Sequence, residues 1–260
     1  MINTYPVAAP IRTAGEAAIL DGIDQDVRDV ALSLGAREMH YPALVAREVL
    51  QRAEYPQAFP HLLMSASRAR HPEQDAAAQV ATDWCLSPAV CYHAYAHLAD
   101  HVIETPVTLT ARGTCFRCEK ATAPGVRQIE FAMREIVFIG PAGWVDAAAD
   151  AARRRVEALA RNRDLAGEWC AAEDPFFLPA ALGKAVMQRL TKVKLEYQSI
   201  DHHGLALASV NRHGPFFGQR FHITDAAGEP VHTACVAIGL DRWCQHARRP
   251  AVPAQEVGSC

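Results

Sequence analysis

The sequence predicts an α+β fold, its strands gathered into hairpins instead of alternating one-for-one with helices. Three observations carry that reading. Between Ala14 and Leu34, the residues Ile19, Ile23, Val27, Val30 and Leu34 recur at intervals of three and four, the helical period. Between Thr105 and Gly140, two alternating segments, PVTLTARGTCFRCE and EFAMREIVFI, flank a polar loop in which Pro124 and Gly125 are turn formers. A second long amphipathic segment, from about Trp144 to Leu165, follows Pro141 and stops before Gly167, with Ala149, Ala152, Val156 and Leu159 as its apolar stripe.

In chain order, residues 1–13 read as an extended arm containing two prolines. The first helix follows, and Gly35 stands where a C-cap glycine belongs. Glu38 to Tyr41 is strand-like and stops at Pro42; a short helix is expected from Leu44 to Ala53, leading into EYPQAFPHLLM. The stretch TDWCLSPAVCYHAYAHL mixes aromatic, thiol and imidazole side chains ahead of the hairpin. Beyond the long helix, WCAAEDPFFLPAALGK reads as a connector, followed by strands at Val193 to Tyr197 and Leu205 to Asn211. The last element, HTACVAIGLDRW, is a strand that passes through Gly239 into a helix near Asp241, and residues 249–260 are a flexible tail.

Composition narrows the class. With 260 residues, 50% of them hydrophobic and 21% charged, the chain can bury one good-sized core. A net charge of −3 gives no whole-molecule argument for nucleic acid or a membrane surface. No apolar run suggests a membrane span, and the N-terminus lacks a basic-then-apolar leader layout, so a cytoplasmic protein is expected. Its 8 cysteines then read as buried thiols or metal ligands in preference to a disulfide framework.

The hairpin concentrates chemistry. Side chains two apart on a strand share a face, so Arg117 and Glu119 project together from the end of the first strand. Alone, an Arg-x-Glu is a surface ion pair. On the second strand Phe131, Met133, Glu135, Val137 and Ile139 share one face, which places the Glu135 carboxylate in an apolar stripe, where it needs a cation, a metal or several donors. Arg242 follows a glycine at a strand-to-helix junction, a place suited to a phosphate. Arginines for phosphates, an acid for an exocyclic amine and the Phe131 ring for stacking would together hold a nucleotide. Cys115 and Cys118 form a bare CxxC, but residues three apart on a strand face opposite sides, so packing is expected of them. Histidines 93, 97, 202, 203 and 213 read as loop or packing residues.

FRCE followed by a variable loop and FAMRE resembles motif 2 of the class II aminoacyl-tRNA synthetases, GLDRW resembles their motif 3, and HYP ending at Pro42 resembles the weaker motif 1. With CYHAY, AEDPFF and SVNRHGPFFG in order as well, the chain is similar, over about Ala14 to Arg248, to the seryl-type catalytic domain. Within that type it resembles the amino acid:[carrier protein] ligases. The resemblance implies an antiparallel sheet of about six strands flanked by helices, with residues 14–248 as the catalytic domain. It implies that Arg117 binds the α-phosphate of ATP, Glu119 meets the adenine amino group, Phe131 stacks on the ring and Arg242 covers its other face while reaching the γ-phosphate; Arg127 is a weaker phosphate candidate. It groups Cys91, Glu135 and Cys235 as ligands of a zinc ion whose open position receives the substrate's α-amino group. Ser209 and Asn211 match the amino-acid pocket. The family's magnesium-holding acid is replaced by Leu205, with Glu196 as a substitute from the neighbouring strand.

The function so implied uses ATP, Mg2+ and Zn2+ to activate a small amino acid, glycine or alanine, as an aminoacyl-adenylate. The product then passes to the phosphopantetheine thiol of an acyl or peptidyl carrier protein. A homodimer formed through the first helix and Pro42 is expected, without tRNA, since no coiled-coil arm or strongly basic stretch is present to bind it. The alternatives are a seryl-type tRNA synthetase, a catalytically idle synthetase-like binding or regulatory protein, and transfer to a small-molecule or peptide acceptor.

Overall fold

The computed structural model describes residues 8–69, 79–119, 127–172, 193–201 and 204–246. The first part of the arm, the turn at Pro124 and Gly125, most of AEDPFF, histidines 202 and 203 and the C-terminal tail lie outside the described residues.

Helix α1 (Ala14–Ser33) opens on a capping box, in which Thr13 and Glu16 each satisfy the other's backbone N–H. It ends at Leu34, with Gly35 in the left-handed region at φ 78°. Strand β1 (Arg37–Glu38) follows. The expected helix at Leu44 begins instead as strand β2 (Leu44–Ala46), and only Arg47–Arg52 is helical, as α2. After one turn of helix, α3 (Tyr55–Ala58), come strands β3 (Ser65–Ala69) and β4 (Gln79–Leu86), which the sequence reading did not foresee. Helix α4 (Cys91–His97) and the two-residue strand β5 (Val102–Ile103) lead into the hairpin of β6 (Val107–Phe116) and β7 (Glu130–Gly140). Helix α5 spans Ala142–Asn162, starting and stopping slightly earlier than periodicity suggested. Strand β8 (Gly167–Ala171) occupies the start of the supposed connector. Strands β9 (Lys194–Ser199) and β10 (Ala206–Gly214), helix α6 (Phe216–Phe221), and strands β11 (Thr224–Asp225) and β12 (His232–Gly239) complete the chain with helix α7 (Leu240–His246).

Seven strands form the main sheet in the order β1-β6-β7-β12-β10-β9-β8, one more than expected. Every pairing within this sheet is antiparallel except β1 with β6. Alternation then divides the sheet's two faces. Ile136, Phe138, Val210, Val236 and Ile238 point to α1, α5 and α7 and build the larger core with Ile23, Val27, Val145 and Val156. Leu109, Val137, Ile139 and Cys235 point the other way, against α4 and α6. A buried ion pair ties the first core together: Arg134 on β7 donates to both carboxylate oxygens of Asp24 on α1, at 2.6 and 2.9 Å, and reaches Glu38 on β1 at 3.3 Å. Among the described residues, no helix is long and apolar enough to cross a membrane.

Candidate active site

Register across the central strands sets the site. In one row stand Glu135 on β7, Ala237 on β12, Ser209 on β10 and Glu196 on β9; in the next stand Cys235, Asn211 and Lys194. Adjacent strands lie about 4.8 Å apart, so side chains in each row line up across the face opposite the large core. Strand β6, on the other side of β7, contributes Gly113, and its missing side chain matters. A Cβ there would stand 2.8 Å from Val90 Cγ2. Val90 therefore settles onto the sheet, its N–H donates to Glu135 Oε1 at 2.9 Å, and Cys91 is delivered over the carboxylate at the start of α4.

Cys91, Glu135 and Cys235 consequently offer ligand atoms that all lie within 4.8 Å of one another, and all three residues are buried. Glu135 Oε2 is buried with no hydrogen-bond partner. The Cys91 thiol is pushed well up by its hydrogen bond to Cys235, by burial and by Glu135. Burial raises Glu135. For Cys235 the hydrogen bond with Cys91 pulls downward, but burial and Glu135 outweigh it. Two thiols and an acid that all resist ionisation, with one oxygen unpartnered, suit a divalent cation, which would supply the missing charge; two sulfurs and an oxygen are a zinc donor set with a position left open. Asn211 Nδ2 donates to Ser209 Oγ at 3.2 Å and lies 3.6 Å from Cys235 Sγ, so these two predicted residues border the group. His213 also packs beside it, 4.0 Å from Cys235 Sγ and held by Thr233 and Tyr95.

A cavity of about 660 Å3 joins these ligands to the predicted nucleotide residues Arg117, Glu119, Arg127, Phe131 and Arg242. Strand β6 stops at Phe116, so Arg117 and Glu119 lie just past its end. Arg117 is anchored by a hydrogen bond from Nε to the Pro88 carbonyl at 3.2 Å, with its guanidinium 5.1 Å from the centre of the Phe131 ring. Glu119 pairs with Arg127 at 3.5 Å. Arg242 donates to the Ala206 carbonyl at 2.6 Å, and its neighbour Asp241, buried, accepts from Ala132 N–H and from Arg12. All ten predicted residues thus border one cavity. Of the CxxC pair, Cys115 is buried, its thiol pushed up to about 12 by burial, and Cys118 is exposed, so the two do not form a second site.

Sequence reasoning missed the other end of the cavity, an aromatic wall of Tyr55, Phe59, Tyr92, Phe216 and Phe217. Tyr92 links it, with ring centroids 5.6 Å from Tyr55 and 6.1 Å from Phe217. Its signals were the aromatics of EYPQAFP, CYHAY and GPFFG, three stretches too far apart in sequence to be grouped without the fold. Lys194, whose side chain is 12% exposed, was missed as well.

Two relatives from Bradyrhizobium diazoefficiens decide the family. Amino acid–[acyl-carrier-protein] ligase 2 is 33% identical over 223 residues, covering 78% of this chain and 66% of its own length. Amino acid–[acyl-carrier-protein] ligase 1 is 31% identical over 227 residues, covering 80% of this chain and 69% of its own. The chain belongs to the amino acid–[acyl-carrier-protein] ligase family. It spans roughly two thirds of the length of these family members. The type-2 serine–tRNA ligase of Methanocaldococcus jannaschii is 26% identical over 247 residues, 84% of this chain and 47% of that protein. Among solved structures, M. kandleri SerRS, in complex with A. aeolicus tRNASec, has a TM-score of 0.79 at 20% identity, covering 95% of this chain and 55% of that one. Giardia lamblia prolyl-tRNA synthetase, in complex with prolyl-adenylate, follows at a TM-score of 0.72 and 14% identity, covering 94% of this chain and 48% of that one. The family member therefore has the class II aminoacyl-tRNA synthetase catalytic fold. No protein-family model matches the chain.

Proposed function

We propose that this protein joins a small amino acid of the glycine or alanine kind to ATP, releasing pyrophosphate, and passes the aminoacyl group to the phosphopantetheine thiol of a carrier protein. The observation that supports this best is the meeting, in one cavity, of the Cys91–Glu135–Cys235 group with Arg117 and Arg242. In the first step a carboxylate oxygen of the amino acid attacks the α-phosphorus and the bond to the β-phosphate breaks. The carboxylate is already the nucleophile, so no side-chain base is required. Arg117 meets the α-phosphate and stabilises the charge that develops there, Arg242 holds the far end of the nucleotide, and Glu119 and Phe131 recognise the adenine. Ser209 and Asn211 border the amino acid. Zinc on Cys91, Glu135 and Cys235 would supply a Lewis-acid position that takes the substrate's amine in its neutral form. In the second step the thiol sulfur attacks the carbonyl carbon, losing its proton to solvent, and AMP leaves.

The same reading expects a cytoplasmic homodimer joined through α1 and the region of Pro42, which sedimentation would check. The function itself is tested by amino-acid-dependent pyrophosphate exchange across the standard amino acids, with zinc quantified in the same sample. A screen of carrier proteins, tRNA and small acceptors then follows. Exchange that depends on no amino acid would refute the proposal.

A further inference from the structure

Lys194 is a charge inside the cavity to which the scheme above gives no task. It sits in the same sheet row as Asn211 and Cys235, two strands across from Cys235, with its side chain only 12% exposed. Its ammonium lies 3.1 Å from Glu196 Oε1. Glu196 in turn stands in the row of Ser209 and Glu135, and its charge acts on Arg242, so this carboxylate is bracketed by two cations. The magnesium expected of this type of site fits poorly here. Leu205 carries no donor atom and packs against the core on the helix side of the sheet. A dication brought onto Glu196 would stand beside an ammonium and an arginine, which repel it.

We propose that Lys194 takes the place of a protein-bound magnesium ion: anchored on Glu196, its ammonium is a fixed positive charge in this part of the cavity, and the magnesium of the reaction arrives only on the nucleotide. This rests on the ATP-activation reading. An ammonium on a four-carbon stem carries one charge where a metal ion carries two, but it needs no free carboxylate and can donate to phosphate or carboxylate oxygens.

The test counts Mn2+ ions on the full chain in the presence of a non-hydrolysable ATP analogue, by electron paramagnetic resonance of the free ion. The wild type should hold a single tight ion per bound nucleotide, and Glu196→Gln should hold the same number. Lys194→Met, which frees the Glu196 carboxylate while keeping an apolar stem, should gain a further ion. A wild type that binds an additional ion, lost in Glu196→Gln, would overturn the proposal, and so would a folded Lys194→Met variant that gains none. Should either variant fail to fold, the wild-type count is read alone: one ion per bound nucleotide supports the proposal, and more than one overturns it. If the analogue does not bind to the wild type at all, the ATP-activation reading fails first and the proposal falls with it.

Discussion

Glu135 shows how much one side chain can require of its surroundings. Burial drives its carboxyl toward the protonated form, and Val90 N–H satisfies one oxygen only. A metal ion would remove that penalty, which makes ligand substitutions diagnostic. Cys235→Ser should lower bound zinc and abolish amino-acid-dependent pyrophosphate exchange while far-ultraviolet circular dichroism stays unchanged; full exchange by the zinc-free variant would end the zinc proposal. Arg117→Ala removes the cation placed for the α-phosphate and should slow adenylate formation by about 100- to 1,000-fold, or roughly 3 to 4 kcal/mol. An unchanged exchange rate would show that the nucleotide site lies elsewhere. Tyr41 gives a pH-dependent test away from the ligands. Its hydroxyl is buried without a hydrogen-bond partner among the described residues, and burial pushes its pKa up to about 12. The folded protein thus keeps this proton at pH values where the unfolded chain loses it. The Tyr41 contribution is fully present below pH 10 and is lost as pH rises from 10 towards about 12. Tyr41→Phe should flatten that alkaline loss in denaturant midpoints; an identical alkaline slope would rule the residue out as its source.

At the level of elements, the pairing of α1 with β7 depends on ions inside the core. Arg134 is 3% exposed and doubly bonded to Asp24, so removing the arginine leaves the Asp24 carboxylate with only the longer contact to Arg112, at 3.7 Å. Arg134→Ala should destabilise by roughly 3–5 kcal/mol, and the double change Arg134→Met with Asp24→Leu should recover most of it; chemical denaturation measures both. Elements like these differ in how plainly the sequence announces them. Strands β6, β7, β10 and β12 could be read directly: β7 and β12 lie between helices on both faces and carry near-continuous apolar runs, IVFI and ACVAI, and β6 and β10 are recognised by VTLTA and LALASV beside them. Helix α1 could be read because its buried residues Leu20, Ile23, Val27 and Ala31 keep the helical period. Strand β3 could not, since Ser65–Ala69 lies almost wholly exposed and carries no apolar signal. Strand β2 was mistaken for helix because three residues are too few to show a period. Helix α4 is short and rich in aromatics, which propensity alone does not favour. The grouping of residues 91, 135 and 235 had no local signature at all: it came from resemblance, and the strand registers supply its physical basis.

Over the whole molecule, the two ends of the described chain meet at the nucleotide end of the cavity. Ala8 accepts a hydrogen bond from Glu130 N–H at the start of β7, and Arg12 pairs with buried Asp241, the residue before Arg242. The described part of the segment read as an extended arm therefore buttresses the candidate site. Arg12→Ala should raise the KM for ATP in the exchange assay by about tenfold, with the amino-acid KM unchanged, since α7 loses the cation that fixes Asp241; equal effects on both substrates would point to general loosening instead. At the opposite end, α6 leans on the loop before β12 through Gly218. A Cβ at 218 would lie 2.9 Å from Val231 N and nearer still to its carbonyl oxygen. This helix has no room to recede. Anyone wishing to enlarge this end of the cavity by redesign will have to trim Phe216 or Phe217 in place, because the scaffold behind them has already reached its limit.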